Sequence, residues 1–101
     1  MKAYCKCRLT IVGPARDLAR FFAQNEWRPE TGILHVELME KSCFRHIWQF
    51  DGAEPPLQFI TGLSEKWPFL TFLLDYDRED KRIKGLAKAV RGLLQHDLVN
   101  Y

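Results

Sequence analysis

Apolar residues recur along the chain with two different spacings, and the spacing changes at breaks that contain proline or glycine. A spacing of two, or a continuous apolar run, predicts β-strands in four segments: residues 3–12, 33–39, 43–51 and 69–76. A spacing of three or four, beginning at prolines that suit a first helical turn, predicts helices in two segments: residues 14–25 and 56–67. The predicted order through Tyr76 is therefore β-α-β-β-α-β.

This order predicts an α+β fold of the ferredoxin-like kind, in which two helices cover one face of a four-stranded antiparallel sheet. Each helix then needs one apolar stripe that faces the sheet. For the first helix, the spacing predicts that this stripe consists of Ala15, Leu18, Ala19 and Phe22.

The third predicted strand can take either of two phases. In one phase Arg45, Ile47 and Gln49 face away from the helices. In the other phase the outward side chains are those of Phe44, His46, Trp48 and Phe50. Burying a large apolar side chain stabilises a fold by roughly 1.5–3 kcal/mol, so the phase that places the aromatic residues in the core is favoured.

The composition is typical of one globular domain over residues 1–101, with the βαββαβ core in residues 1–76. At 101 residues and 47% hydrophobic, the chain can bury a core without metal or disulfide staples. The net charge is +2, from 15 basic and 13 acidic side chains. This balance gives no strong electrostatic reason to expect a polyanionic partner.

Residues 77–101 contain one charged segment and one ambiguous segment. Residues 77–84 carry charges of both signs, which is typical of a solvated loop. Within residues 85–101, the spacing of Leu86, Val90 and Leu93 slightly favours a helix, whereas Gly92 suits the turn of a β-hairpin. The local pattern leaves both structures open.

The three cysteines predict a reduced, cytoplasmic setting, because the chain start lacks an apolar signal-peptide region and no apolar run approaches membrane-spanning length. Cys5 and Cys7 are closer in sequence than zinc ligands usually are, and antiparallel pairing would place Cys43 far from Cys5. We therefore predict that the cysteines belong to the core, with no metal site and no cofactor.

No catalytic residue is predicted. Neighbouring carboxylates such as Asp51 and Glu54 become catalytic only inside a pocket. The sequence has no glycine-rich phosphate loop, nucleophile elbow or recognisable pairing of Cys with His. We expect a protein that is not an enzyme, and a deep pocket that joins these two carboxylates to a histidine would overturn that expectation.

Several short stretches are similar to one known family. They are residues 4–14 (YCKCRLTIVGP), Phe50-Asp51, Pro55-Pro56, residues 63–76, and the glycines Gly85 and Gly92. In these stretches the chain resembles the YubB-type small proteins of phages and plasmids. The resemblance implies a ferredoxin-like domain with a C-terminal β-hairpin that turns near Arg91-Gly92, and it implies no established activity. The chain departs from the family at Cys7, where asparagine is usual, and at Ala53-Glu54, where a tryptophan usually precedes the prolines.

A small domain of mobile-element type without predicted chemistry is expected to act by binding. The preferred partner is a protein, which includes a second copy of the chain, and Trp27 or the open edge of the second strand would supply the surface. The alternative partner is single-stranded RNA or DNA, because RNA-recognition modules share this topology and stack bases on the open sheet face. The candidate residues for this face are Tyr4, Lys6, Arg8 and Arg45.

Overall fold

A computed structural model of the protein describes residues 5–24 and 33–101. Within these residues six strands and two helices follow one another in the order β1 (Cys5–Val12), α1 (Ala15–Ala23), β2 (Leu34–Lys41), β3 (Arg45–Gly52), α2 (Leu57–Lys66), β4 (Thr71–Arg78), β5 (Ile83–Val90) and β6 (Leu93–Asn100). The strands form one sheet with the spatial order β2-β3-β1-β4-β5-β6, and every neighbouring pair is antiparallel. The protein is therefore an α+β fold with β2 and β6 at the two edges of the sheet.

The central strand β1 decides which sheet face is buried. Its burial alternates strictly at first, because period-two apolar residues point to one side of a pleated strand. The register places Cys7 opposite Phe50 of β3 and Tyr76 of β4, and all three side chains are buried. The favoured phase of β3 is confirmed, because His46 and Phe50 face the core and Arg45 lies on the opposite face. The core position predicted for Phe44 is wrong, since this residue precedes β3 and is 58% exposed.

Both helices contact this same buried face. Leu9 of β1 and Phe72 of β4 belong to one core cluster with buried side chains from both helices: Leu18, Phe21, Ile60 and Leu63. Phe21 makes edge-to-face contacts with Phe72, at 5.8 Å between ring centroids, and with Trp67 at 5.4 Å. Edge-to-face pairs of this kind add roughly 0.5–1.5 kcal/mol each beyond the area they bury.

The predicted buried stripe of α1 is wrong in part. Leu18 and Phe21 are buried, whereas Ala15 and Ala19 are exposed and Phe22 is about one-third exposed. The edge-to-face contacts of Phe21 turn the helix so that Phe22 lies over the sheet edge. There the Phe22 ring contacts His46 at 5.6 Å, and Lys41 Nζ lies 3.8 Å from the ring centroid.

The C-terminal segment is a β-hairpin, as the resemblance implies, and the helix favoured by periodicity is wrong. Arg91 and Gly92 form its two-residue turn with φ angles of 53° and 78°. Positive φ at both central positions is typical of a type I′ turn, whose twist matches the twist of paired strands. Residues 77–84 are also not simply a loop, because β4 continues to Arg78 and β5 begins at Ile83.

The hairpin is attached to helix α2 by a buried serine. Ser64 Oγ accepts a hydrogen bond from the backbone N–H of Gly92 at 3.0 Å and donates one to the carbonyl oxygen of Thr61 at 2.7 Å. A buried hydroxyl must have such partners, because leaving it unpaired costs about 1–3 kcal/mol.

In the described part of the chain, no helix has the length and apolar character needed to cross a membrane.

Candidate functional site

The open face of the sheet, meaning the face turned away from the helices, carries three of the predicted binding residues. Lys6 and Arg8 lie there on β1, and Arg45 lies there on β3. The other two candidates, Tyr4 and Trp27, lie outside the described residues. The structure therefore brings Lys6 and Arg8 together on one strand, with Arg45 near the far end of the neighbouring strand.

Acidic and basic side chains alternate across this open face. Arg8 is opposite Asp75, and Lys6 lies between Asp51 and Asp77 of the two flanking strands. Cross-strand neighbours of opposite charge attract each other and neutralise the local field. Two ion pairs at the margins are resolved at the atomic level, joining Lys6 to Glu79 at 3.3 Å and Arg45 to Glu40 at 2.6 Å. Over the described residues the face is thus mixed in sign, and carboxylates interrupt the basic side chains that would attract phosphates.

The open face contains a shallow depression of about 560 Å³. Leu86 and Val99 supply its apolar part, and charged side chains surround them: Lys6, Arg8, Asp75, Asp77, Lys84 and Asp97. The aromatic side chains at His46 and Phe50 of β3 point to the other face. Between Cys5 and Val12, and across β3, the open face presents no ring on which a base could stack.

A histidine does meet a carboxylate, but at an exposed position. His35 Nδ1 lies 3.0 Å from Asp51 Oδ2; the His35 side chain is 76% exposed and the Asp51 side chain 36% exposed. Catalytic acids and bases usually depend on burial to tune their protonation, and this pair lacks that burial. In the described part of the chain, His35 and Asp51 therefore form an ion pair at the surface rather than a buried acid–base pair.

Cys5 and Cys7 are core residues, as predicted, with their sulfur atoms 3.6 Å apart. The hydrogen bond with Cys5, together with burial, raises the pKa of Cys7 well above that of an ordinary thiol, so Cys7 stays protonated. Cys43 is exposed, so the prediction of a core position is wrong for this residue, which lies in the turn before β3. Among residues 5–24 and 33–101, no group of three or more His, Cys, Asp and Glu side chains is arranged to hold a metal ion.

The two edges of the sheet differ in regularity. The pairing of β2 with β3 shifts register twice, between Leu34 and Glu37 and again between Leu38 and Glu40, and His35 has a φ of 56°. Such irregularities make an edge a poor template for another strand. Strand β6 pairs with β5 over its full length without a shift. The predicted edge, β2, is therefore the less suitable of the two.

Strand β6 is exposed on both of its faces and is partly apolar on each. On the open face, Leu93 is 75% exposed and Val99 is 65% exposed. On the helix face, Leu94 and Leu98 are 38% and 52% exposed. Natural edge strands are usually short, charged or interrupted, so a long regular edge with apolar residues on both sides indicates a binding surface.

The turn geometry determines which backbone groups of β6 are unpaired. In a two-residue hairpin the residues flanking the turn, here Val90 and Leu93, exchange both backbone hydrogen bonds. Every second residue of β6 from Leu93 onward therefore bonds to β5, and the N–H of Tyr101 continues this pattern by donating to Arg82 at 2.8 Å. The intervening residues point their N–H and C=O groups away from the sheet: Leu94, His96, Leu98 and Asn100.

Two side-chain bonds hold the hairpin to the rest of the sheet. The ring of Tyr76 lies on Gly85 of β5, where a Cβ atom would overlap it, and its hydroxyl lies 2.5 Å from Nε2 of His96. Burial raises the pKa of Tyr76, so this hydroxyl remains protonated. At the chain end, the Tyr101 hydroxyl donates to Asp77 at 2.7 Å. The β6 edge is thus presented by a well-anchored hairpin.

Comparison of the chain with protein-family models, with curated proteins and with solved structures gave no match. The resemblance to YubB-type proteins therefore stays a prediction. The β6 edge was not predicted as a binding surface, because neither the local pattern nor the implied hairpin shows which strand lies at the edge of the sheet. The signal that could have found it is the pair of apolar residues at each end of the segment, Leu93-Leu94 and Leu98-Val99.

Proposed function

We propose that the chain is a non-enzymatic binding domain that acts on a protein partner through the edge of β6. The observation that supports this proposal is the regular, unshifted edge strand with apolar side chains on both faces. In this proposal the chain is a single ferredoxin-like βαββαβ domain of cytoplasmic, mobile-element type, extended by the hairpin of β5 and β6. The hairpin of β5 and β6, which the YubB-type resemblance implies, supports this proposal.

A protein strand fits this edge better than any other kind of partner. The outward N–H and C=O groups of Leu94, His96 and Leu98 require hydrogen-bond partners that alternate in the same way, which another strand provides. Exposed leucine and valine side chains on the two faces would gain by contact with apolar side chains of that strand. Backbone pairing would supply affinity, and the alternating side chains would supply specificity.

The two departures from the family pattern affect this surface differently. Cys7 is buried in the core, so the change from the family's asparagine does not alter an exposed contact. Ala53-Glu54 lies between β3 and α2, and Glu54 is exposed. This loop precedes α2 rather than adjoining β6 in the sheet, so the proposal does not depend on the missing tryptophan.

Single-stranded nucleic acid is a weaker candidate. The described open face alternates in charge, and the aromatic side chains of β3, which pairs with the central strand β1, lie on the helix face. Non-specific binding of single strands needs both a basic groove and stacking rings. Among the described residues of this face, Tyr101 supplies an exposed ring near Lys84, but its hydroxyl is bonded to Asp77 and carboxylates separate the basic side chains. A continuous basic groove is therefore not formed by these residues.

The proposal is tested by affinity capture from an extract of the producing cells with three matched baits. They are the wild-type chain, the Leu98→Lys variant at the β6 edge, and the Leu86→Lys variant on the neighbouring strand β5. Leu86 is exposed like Leu98, but it lies one strand away from the edge. We expect the wild type and Leu86→Lys to retain the same protein and Leu98→Lys to lose it. Equal retention by all three baits, or no retention by a monomeric wild type, would contradict the proposal.

A further inference from the structure

We infer that the strand which pairs with β6 is the β6 strand of a second copy of this chain, joined about a two-fold axis through His96. The inference rests on the proposed function and names its partner. Antiparallel pairing of identical strands is isologous, so each residue of one copy meets a fixed residue of the other. The sequence of β6, LLQHDLVN, can therefore be tested against itself in each register.

Backbone geometry first restricts the registers. The backbone N–H and C=O groups that point away from β5 in one copy must face the equivalent groups of the other copy. The residues that carry these groups can therefore pair only with one another: Leu94, His96, Leu98 and Asn100. A symmetric pairing is then centred on a single residue of the strand. With a substantial overlap, the candidate centres are residues 95, 96, 97 and 98.

The side chains then select one centre. A centre at His96 places Leu93 opposite Val99 on the open face and Leu94 opposite Leu98 on the helix face. It also places Gln95 opposite Asp97, so that the side-chain amide can donate to the carboxylate. In this register apolar residues meet apolar residues on both faces, and the polar pair is a donor with an acceptor.

The other centres each create a conflict at Asp97. Centring on Asp97 would place two like charges directly opposite each other, which is destabilising. Centring on residue 95 would place Leu93 opposite Asp97, and centring on residue 98 would place Val99 opposite Asp97. The symmetric match is therefore specific to the register through His96.

The pairing joins two sheets into one continuous sheet. Its two-fold axis runs perpendicular to the sheet, so the helices of both copies lie on the same side. His96 lies at the centre, where its side chain is held by the hydroxyl of Tyr76 and faces the equivalent side chain of the other copy. Leu94, His96 and Leu98 each donate and accept one backbone hydrogen bond across the axis.

A disulfide trap tests the register directly. In a Cys43→Ser background, which removes the exposed native thiol, His96→Cys places two thiols on the axis with Cα atoms about 5.5 Å apart, within disulfide range. Leu94→Cys is the matched control, because it lies on the same face but is distant from its own equivalent. After mild oxidation, non-reducing electrophoresis should show about tenfold more covalent dimer for His96→Cys than for Leu94→Cys.

A pair of charge variants provides an independent test that leaves the His96 contact with Tyr76 intact. Gln95→Lys faces Asp97 of the other copy and should tighten the dimer, whereas Gln95→Asp should weaken it. Light scattering of the full chain at several concentrations measures both effects. A dimer that cross-links at another position, or that responds equally to both substitutions, would overturn the register.

The outcomes also separate this inference from the proposed function. A wild-type chain that stays monomeric at high concentration, yet retains a different protein that Leu98→Lys loses, refutes self-pairing and leaves the binding function standing. A monomeric chain with no captured protein refutes both. A dimer that Leu98→Lys dissociates and Leu86→Lys does not, together with the His96→Cys cross-link, supports both.

Discussion

Gly85 occupies a position where a single methyl group should be costly. A Cβ atom there would overlap ring carbons and the hydroxyl of Tyr76, whose side chain is buried against β5. The Gly85→Ala substitution must therefore displace the Tyr76 ring and break its hydrogen bond to His96. The hairpin would then lose one of its attachments to the sheet.

The expected loss of stability in Gly85→Ala is the sum of three contributions to the free energy of unfolding. Overpacking of a well-packed site costs about 1–3 kcal/mol, and loss of the Tyr76 hydrogen bond costs about 0.5–1.5 kcal/mol. The smaller backbone entropy of alanine returns about 0.5–1 kcal/mol. We therefore expect Gly85→Ala to lower the free energy of unfolding by about 2 kcal/mol, within the range of about 0.5–4 kcal/mol that these contributions allow. This is a substantial part of the roughly 5–15 kcal/mol typical of a small domain.

Urea denaturation followed by tryptophan fluorescence measures this change, and Gly62→Ala is the matched control. Gly62 lies inside α2, and a Cβ atom there would meet no atom within 4 Å, so alanine should stabilise the protein by about 1 kcal/mol. The cost of Gly85→Ala should largely disappear in a Tyr76→Ala background, because the overlapping ring is gone. An equal cost in both backgrounds would refute this explanation.

Three further predictions concern the anchor, the core and the open face. Ser64→Ala should lower the free energy of unfolding by about 1–3 kcal/mol and speed hydrogen exchange at the Gly92 amide; unchanged exchange would show that the serine does not anchor the turn. Burial, with a smaller contribution from Lys41, lowers the pKa of His46, so the unfolded chain binds a proton first as the pH falls. The free energy of unfolding of the wild type should therefore decrease below a pH of about 6.5, and it should decrease less in the His46→Phe variant. The measurement is the urea midpoint as a function of pH, and parallel profiles for wild type and variant would exclude His46 as the cause. Gel-shift assays at low salt should show no binding of single-stranded RNA or DNA, and binding that weakens in Arg8→Ala would restore the nucleic-acid alternative.

Much of the fold could be predicted where one physical effect dominates. The period-two pattern of Cys5 and Cys7 identifies a half-buried strand, and burial of large apolar side chains selects the phase of β3 with Phe50 in the core. Pro56 and Pro68 correctly bracket the helix α2. In these segments local preference and tertiary packing agree, so sequence pattern is sufficient.

Prediction from pattern fails where tertiary contacts choose between local alternatives. Phe21 and Phe22 are adjacent, and only the edge-to-face contacts with Trp67 and Phe72 determine which ring enters the core. The last segment carries too little polar alternation to reveal a strand, because β6 is apolar on both faces. Its turn depends on left-handed backbone at Arg91, which composition does not signal.

The candidate surface was harder to predict than the fold. Which strand forms an edge depends on the order of strands in space, which the local sequence pattern does not give. Lys6 and Arg8 were correctly placed on the open face, but the carboxylates opposite them became apparent only with the register. The self-matching of β6 likewise requires knowledge of which backbone groups are already paired with β5.

The most direct test of β6 as a pairing edge is residue-resolved amide hydrogen exchange by NMR. In the free chain, the amides of Gln95 and Asp97 should be protected by β5, while those of Leu94, His96 and Leu98 exchange quickly. As the protein concentration rises, the three edge amides should become protected to the same degree as their neighbours. Edge amides that exchange quickly at every concentration, and also with a captured partner bound, would contradict the central claim.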